Sequence, residues 1–351
     1  MGKKVIVGMS GGIDSSVAAL LLQKKGFEVI GVTLKHLPDE LSESQGKTCC
    51  SLDDINDAKN VCNQLEIPHY TFNVAEDFQK EVMEYFIKTY DEGKTPSPCV
   101  ICDEKIKIKK LIEIADKMGI KYIATGHYSS KTSENLLLWD KNNQKDQIYM
   151  LYRLDSSVLE RMLFPLSEYK KNIVREIAKE EGIKIFSKPD SQGICFAPEG
   201  YEIFLKKQLG SKVQEGDFLD KDRKVLGRHE GYQLYTIGQR RGLGLNLGKM
   251  YFVTEIIPEK NEIILGDFDD LQRDKVEIIN YKFHIDIESV LGKYVIARPR
   301  FSSKGLEGKL ILSENRLYFQ FLEKNAENSI GQHIVFYSEN ILFGGGEIRF
   351  I

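Results

Sequence analysis

The stretch that most limits what this chain can fold into is Gly8-Met-Ser-Gly-Gly-Ile-Asp-Ser-Ser16. It follows a short β-branched run at residues 3–7, which reads as a buried parallel strand. It opens a segment, 15–25, in which Val17, Leu20 and Leu21 recur at helical spacing. Gly11 and Gly12 let the backbone curl and approach a ligand with no Cβ in the way. N–H groups at a helix start, with the hydroxyls of Ser10, Ser15 and Ser16, make an anion cradle. The loop is not the Gly-x-x-x-x-Gly-Lys-Ser/Thr pattern, whose lysine holds β- and γ-phosphates. The plain alternative is a tight strand–helix turn. Two glycines, three serines and an aspartate gathered at the end of the first strand argue against it.

The pattern around this loop predicts a layered domain. Strand-like runs at 28–34, 69–73 and 121–125 alternate with helical runs at 53–65, 76–90 and 105–118. The helix at 53–65 has Ser51 as its N-cap and places Ile55, Ala58, Val61, Cys62 and Leu65 on one face. Such alternation predicts a doubly wound α/β parallel sheet with right-handed crossovers. Past residue 210 helical periodicity fades. Short β-rich stretches at 225–227, 251–257, 262–265, 293–297, 309–312, 317–321 and 333–337 follow, separated by glycines. The 351 residues exceed one ordinary domain. Boundaries near Gly210 and Ile287 give an α/β domain over 1–209, a small β-rich domain over 210–286 and a β-barrel-like domain over 287–351.

Composition adds limits. A hydrophobic content of 42% supports real cores. No apolar run nears the roughly 18 residues that span a bilayer, and the first residues lack a secretory pattern. A cytoplasmic location with no membrane partner is therefore expected, and structural disulfides are not expected for the six cysteines. The net charge of −3 does not advertise nucleic-acid binding, although a local basic patch is compatible with it.

The loop resembles the Ser-Gly-Gly-x-Asp-Ser loop of the ATP pyrophosphatase (PP-loop) superfamily, which cleaves ATP between its α- and β-phosphates. Further motifs narrow the resemblance: Gly93-Lys-Thr-Pro-Ser-Pro-Cys-Val-Ile-Cys-Asp-Glu-Lys-Ile-Lys107, Ala124-Thr-Gly-His-Tyr128, Lys145-Asp-Gln147, Asp190-Ser-Gln-Gly-Ile-Cys-Phe196 and Tyr235-Thr-Ile-Gly-Gln-Arg-Arg-Gly-Leu-Gly244. In this order, over nearly the whole chain, they resemble the bacterial tRNA-specific 2-thiouridylase family. The resemblance implies a sheet of the adenine-nucleotide alpha-hydrolase type, with residues 1–209 as the catalytic domain. It implies a tRNA-uridine 2-sulfurtransferase that adenylates the C2 oxygen of the wobble uridine and replaces it with sulfur. The cofactors would be ATP and Mg²⁺, and the partners tRNA and a sulfur donor such as a cysteine desulfurase or sulfur-relay protein.

The resemblance also carries residues over. Gly8, Met9, Ser10, Gly11, Gly12, Ile13, Asp14, Ser15, Leu34 and Gly126 match ATP-binding positions, with Asp14 linked to Mg²⁺ and pyrophosphate. Cys195 matches the cysteine that receives sulfur as a persulfide, and Cys102 a second nucleophile or resolving thiol. Lys145, Asp146, Gln147, Arg298, Arg300 and Gln332 match positions that touch tRNA; the Pro96-Ser97-Pro98-Cys99 stretch is rigid enough to line a pocket for a splayed-out base, and His127 is either a tRNA contact or an ordinary surface histidine. One departure stands out: many members carry aspartate where this chain has Cys99, and asparagine where it has Asp103. Cys99 is thereby a third candidate thiol, and Cys99, Cys102 and Cys195 form a candidate ligand set for an iron–sulfur cluster with one open iron.

Plainer readings stand beside these. Cys62, on an apolar helix face, reads as core. Cys49 and Cys50 are given no catalytic role. Leu34 can equally be an ordinary core residue. The cluster Lys105, Lys107, Lys109 and Lys110 can be a solvated helix face. Arg240 and Arg241 bind phosphate or cap a loop. Two rival functions remain: another PP-loop synthetase acting on a small metabolite, or a non-catalytic nucleotide- or RNA-binding protein. Release of AMP and pyrophosphate only when tRNA is added separates the three.

Overall fold

The computed structural model describes residues 2–38, 52–189, 193–246 and 248–351. Ser51, Cys49, Cys50 and the Asp190–Gln192 part of the second cysteine motif lie outside them. The chain forms two compact units, interleaved in sequence. The first comprises Met1–Met83, Cys99–Pro198 and Asn340–Leu342; the second comprises Glu84–Pro98, Glu199–Glu339 and Phe343–Ile351.

The first unit is built on a parallel sheet. Its strands are β1 (Lys4–Gly8), β2 (Glu28–Lys35), β3 (His69–Asn73), β4 (Tyr122–Ala124) and β5 (Met162–Leu163). They lie in the order β3-β2-β1-β4-β5, every neighbour parallel. The order runs outward from β1 on both sides, which is the doubly wound arrangement predicted from the alternation. β1 is central because Val5, Ile6 and Val7 are apolar on both faces and fully buried. Helices α1 (Ile13–Lys24), α2 (Leu52–Gln64) and α5 (Lys171–Glu180) share a core with it. Val17 and Leu21 of α1, Ala58 and Val61 of α2, and Val174 and Ala178 of α5 meet there. Cys62 is fully buried in this core, and burial pushes its thiol up to about 12. That is the behaviour of an inert core residue.

The helix read over 105–118 begins earlier in the structure. α3 (Pro98–Cys102) runs into a π-helical turn, Asp103–Ile108, and on into α4 (Lys109–Lys117). Pro98 occupies the first helical position, where its missing N–H has no intrahelical partner to lose. The Cys99-x-x-Cys102 pair therefore sits in the first turn of a helix that a proline-rich loop introduces, not a strand.

The second unit carries β6 (Gly216–Leu219), β7 (Val225–His229), β8 (Phe252–Ile257) and β9 (Glu262–Gly266) in a small sheet of order β8-β9-β6-β7. Six further strands close on themselves: β10 (Arg273–Phe283), β11 (Tyr294–Arg298), β12 (Leu306–Ser313), β13 (Arg316–Asn325), β14 (His333–Ser338) and β15 (Ile341–Arg349). Their order is β10-β13-β12-β11-β14-β15, and β15 pairs back onto β10. Closure leaves no open edge in this ring. Phe319, Phe336 and Phe343 fill the interior, with ring centroids 5.3 and 6.2 Å apart along the row. The barrel's first strand, Arg273–Phe283, precedes the expected boundary near Ile287.

Candidate active site

The loop between β1 and α1 forms at the carboxyl end of the central strand, where ligands of open α/β sheets bind. Gly11 has φ +70°, and a Cβ there would lie 2.2 Å from the Asp54 carbonyl oxygen. Glycine is thus required twice, for the backbone angle and for the close approach. Gly12 is the N-cap of α1 and has no side chain to cap with. Ser10 N–H donates to Ser15 Oγ at 3.1 Å, and the hydroxyls of Ser15 and Ser16 donate to the Gly12 carbonyl at 3.1 and 2.9 Å. These bonds hold the loop curled with the helix N-terminus outward. Gly126, after β4, backs onto the loop so tightly that a Cβ would lie 2.6 Å from Ser15 N. A cradle that side chains at 11 and 126 would distort fits a polyphosphate that needs close backbone approach.

Asp14 does not stand alone. Tyr128 donates its hydroxyl to Oδ1 at 2.6 Å, and Lys171 Nζ lies 2.7 Å from both carboxylate oxygens. Tyr128 is in turn fixed by Gln147, whose Oε1 accepts the Tyr128 N–H at 3.0 Å and whose N–H donates to the Tyr128 carbonyl at 2.9 Å. A second lysine reaches the loop from the other side. Lys188 Nζ lies 3.3 Å from the Gly11 carbonyl, 2.7 Å from Asp54 and 2.5 Å from Asp57. Sequence reasoning assigned nothing to Lys171, Lys188 or Asp54. Lys171 follows another lysine at a helix start, a pattern without any chemical signature.

Gly11→Ala is expected to destabilise the chain by about 1–3 kcal/mol and to abolish ATP binding, because the loop must open to admit the methyl group. Thermal melts with and without ATP check this. An unshifted melting temperature with intact ATP stabilisation would contradict the cradle geometry.

The cysteine motifs also lie in the first unit. Cys99 is exposed, Cys102 buried and Cys195 intermediate. An aromatic row runs from the Cys195 segment to the end of β2. The Phe196 ring packs edge-on against Phe78 at 5.8 Å, and Phe78 against His36 at 4.7 Å. Burial, then the charge of Lys107, lowers the His36 imidazole to about 4. Lys107 in turn feels the charge of Cys102 and Cys99. Among the described residues no three His, Cys, Asp or Glu side chains are gathered as a metal would require.

The positions matched to tRNA contacts fall into different environments. Lys145 is exposed. Asp146 is buried and accepts the N–H groups of Asp140 and Ile148 at 3.1 and 3.3 Å. His127 Nδ1 lies 2.7 Å from Thr125 Oγ1, and its Nε2 3.6 Å from Asp103 Oδ2. Leu34 is buried at the end of β2. In the second unit, Ser97 donates its N–H to the Tyr85 hydroxyl at 3.4 Å. Arg298 is only 5% exposed. Its guanidinium donates to the carbonyls of Ser303, at 3.0 Å, and Phe301. Those bonds hold the guanidinium against the backbone of the second unit. Arg300 and Gln332 are partly open, and Arg300 donates to Ser329 Oγ at 3.1 Å. The lysine cluster is not a bare basic face. Lys105 pairs with Glu81, Lys107 with Asp103, and Lys110 with Asp77 and Glu113. Arg240 and Arg241 are exposed.

The sheet order and the cradle define an α/β protein of the adenine-nucleotide alpha-hydrolase class, to which PP-loop ATP pyrophosphatases belong. Residues 3–199 match the family model described as tRNA methyl transferase HUP domain, and residues 202–267 the one described as tRNA methyl transferase PRC-barrel domain. The tRNA-specific 2-thiouridylase MnmA 2 of Fusobacterium nucleatum subsp. nucleatum is 51% identical over 352 residues, covering 99% of this chain and 100% of that one. The tRNA-specific 2-thiouridylase MnmA of Clostridium kluyveri is 43% identical, covering 99% of each chain. MnmA 1 of Clostridium botulinum strain Loch Maree is 42% identical, covering 99% and 100%. This chain belongs to the MnmA tRNA-specific 2-thiouridylase family. Among the described residues no helix is long and apolar enough to cross a membrane.

Proposed function

We propose that this chain is a tRNA-uridine 2-sulfurtransferase: it adenylates the C2 oxygen of the wobble uridine and replaces that oxygen with sulfur, giving 2-thiouridine, AMP and pyrophosphate. The observation that carries the reading is one unit holding both an anion cradle around Gly11 and Gly126 and the three thiols Cys99, Cys102 and Cys195. The cradle supports nucleotide chemistry over the methyl transfer that the two family descriptions mention. A sulfonium methyl donor is a cation, and a helix N-terminus attracts anions.

The roles follow from the chemistry. A uridine C2 carbonyl is a poor electrophile, and adenylation converts its oxygen into a leaving group. Gly8 to Ser15, with Leu34 and Gly126, would hold ATP, and Asp14 would anchor Mg²⁺, which neutralises charge on the departing pyrophosphate. Lys171 and Lys188 keep the loop neutral and curled. Cys195 would carry sulfur as a persulfide, whose terminal sulfur attacks C2 as AMP leaves. Cys102 would then attack Cys195 Sγ. The S–S bond breaks, the outer sulfur stays on C2, and a Cys102–Cys195 disulfide forms that an external thiol reduces. Cys99 is a spare thiol in this scheme. A cysteine desulfurase or sulfur-relay protein would load Cys195. Ser97, Pro98, Cys99, His127, Lys145, Gln147, Arg300 and Gln332 would meet the tRNA.

The test is incubation of unmodified tRNA with the enzyme, ATP, Mg²⁺ and a persulfide-loading system, followed by nucleoside analysis. 2-Thiouridine and tRNA-dependent pyrophosphate are expected. Pyrophosphate without tRNA would favour a small-metabolite synthetase, and none at all a binding protein.

The two arginines of the second unit give a separable prediction. Arg298→Ala strands two carbonyls and should cost about 1–3 kcal/mol of stability. Arg300→Ala should melt normally, weaken tRNA binding and reduce the salt slope by about one. Thermal melts and salt-dependent tRNA binding distinguish them. Unchanged tRNA binding by Arg300→Ala would remove it from the interface.

A further inference from the structure

The glycine pair that lets the cradle approach a phosphate also leaves its own peptides free to turn. Glycine visits either sign of φ about equally, and Gly11 sits at φ +70°. A planar trans peptide points its carbonyl and the following N–H in opposite directions. Turning over the 11–12 peptide would therefore put the Gly11 carbonyl where the Gly12 N–H should be. An N–H there binds phosphate, whereas a carbonyl oxygen repels it. The next peptide is held locally, because the hydroxyls of Ser15 and Ser16 donate to the Gly12 carbonyl at 3.1 and 2.9 Å. The 11–12 peptide is held from much farther along the chain. Its carbonyl accepts from Lys188 Nζ at 3.3 Å. An ammonium has three N–H donors, and Lys188 meets two more acceptors, Asp54 Oδ1 at 2.7 Å and Asp57 Oδ2 at 2.5 Å. Both carboxylates belong to α2, and the Asp54 carbonyl already lies against Gly11. The ammonium is thus anchored on α2 and turns its remaining donor to the loop.

We propose that Lys188 is a positioning residue that pins the Gly11–Gly12 peptide, so that the Gly12 N–H faces the cradle and binds a phosphate oxygen of ATP. The inference rests on the reading of this loop as an ATP cradle and deepens it. The rival role for a lysine beside such a loop is to grip the phosphate itself. The geometry argues against it, because the three donors already have three acceptors. Two carboxylates also flank the one ammonium, so the cluster offers an anion no net positive charge. Burial would lower the Lys188 ammonium, but Asp54 and Asp57 outweigh it and raise it above the usual lysine range. Its donors are therefore present throughout the neutral range. The carboxylates also restrain a four-carbon side chain that would otherwise swing freely. Close backbone approach demands two glycines in a row, and the stiffness they give up is returned by a lysine 177 positions away.

The test reads that one peptide in the full chain without tRNA. The sequence holds three Gly-Gly bonds, 11–12, 344–345 and 345–346. Glycine labelled with ¹³C at the carbonyl and ¹⁵N at the nitrogen therefore gives three carbonyl-to-amide NMR correlations, from the amides of Gly12, Gly345 and Gly346. On addition of MgATP the Gly12 signal should shift and the other two should not. ATP binding, measured by calorimetry, without a Gly12 shift overturns the proposal with no variant needed. In Lys188→Met, checked by thermal melting, the Gly12 signal should move in the ligand-free chain. The Kd for ATP should rise about tenfold or more, while adenosine, which carries no phosphate, binds as before. Lys188→Arg keeps charge and donors and should restore both the signal and the affinity. A folded Lys188→Met with an unmoved Gly12 signal but weakened ATP binding would make Lys188 a phosphate grip and overturn the proposal. Loss of adenosine binding as well would make it a general support and also overturn it. If the unaltered chain binds no ATP, the nucleotide reading fails, while the ligand-free Gly12 shift in Lys188→Met still reports whether the peptide is pinned.

Discussion

Asp14→Ala is expected to cut tRNA-dependent pyrophosphate release by about a hundredfold or more while the chain stays folded. The carboxylate sits in the first turn of α1, where helix N–H groups already favour negative charge. Lys171 and the Tyr128 hydroxyl converge on it. Removing it leaves the buried Tyr128 hydroxyl without that acceptor, a cost of about 1–3 kcal/mol that a chain of this size tolerates. On the proposed reading the larger loss is in ATP turnover, because Asp14 would no longer anchor Mg²⁺ and Lys171 would lose its carboxylate partner. Asp14→Asn separates the two contributions: the amide keeps an acceptor for Tyr128 but not the charge. Equal losses in both variants would place the effect on charge. Lys171→Ala completes the comparison. A loss as large as that of Asp14→Ala means the ammonium grips phosphate, whereas a mild one means it only neutralises Asp14 in the resting chain. Normal pyrophosphate release from folded Asp14→Ala would sink the role.

The parallel sheet was legible because β1 and β2 are continuous apolar runs and the glycine pair marks the turn between β1 and α1. Residues 69–73 were read with the bounds the structure has, although that edge strand is largely exposed, because its residues favour extended backbone. Two barrel strands were missed. Arg273–Phe283 carries Asp, Lys, Glu and Asn among its apolar residues, so alternation is obscured, yet it pairs on both sides. Ile341–Arg349 contains Gly344, Gly345 and Gly346, which read as a turn. In the barrel they mark close approach: a Cβ at Gly344 would lie 2.3 Å from the Phe283 ring, and one at Gly346 2.5 Å from Ile278. The site divides the same way. Gly11 and Gly126 were readable because close backbone approach demands glycine, and Asp14 because it stands inside the same loop motif. Lys171 and Lys188 were not, since they act through contacts 157 and 177 residues away in sequence. No local pattern encodes such a pair. For Arg298 the sequence offered a motif position but no sign that its guanidinium is buried against carbonyls.

Cys195→Ser should reduce 2-thiouridine to background while the first round of tRNA-dependent pyrophosphate release survives. The two steps use different groups. On the proposed reading adenylation needs the cradle and the tRNA, and sulfur is carried by Cys195. Its neighbour Phe196 is buried against Phe78, which should keep the segment placed when serine replaces a side chain of nearly the same size. Serine cannot carry a persulfide, so the adenylated uridine meets no sulfur and is lost to water or reverts. Cys102→Ser should behave differently. Sulfur can still be loaded and can still attack C2, but the bond to Cys195 is not resolved. A covalent protein–tRNA adduct, released by an external thiol, is then expected on a denaturing gel. Cys99→Ser should show neither defect if Cys99 is a spare thiol. The three variants thus give three signatures: no sulfur on tRNA, sulfur trapped with protein, and normal product. Normal thiolation by Cys195→Ser with a persulfide donor would refute the carrier assignment. Loss of thiolation in Cys99→Ser together with a requirement for iron would show that the three thiols gather during turnover in a way the resting arrangement does not.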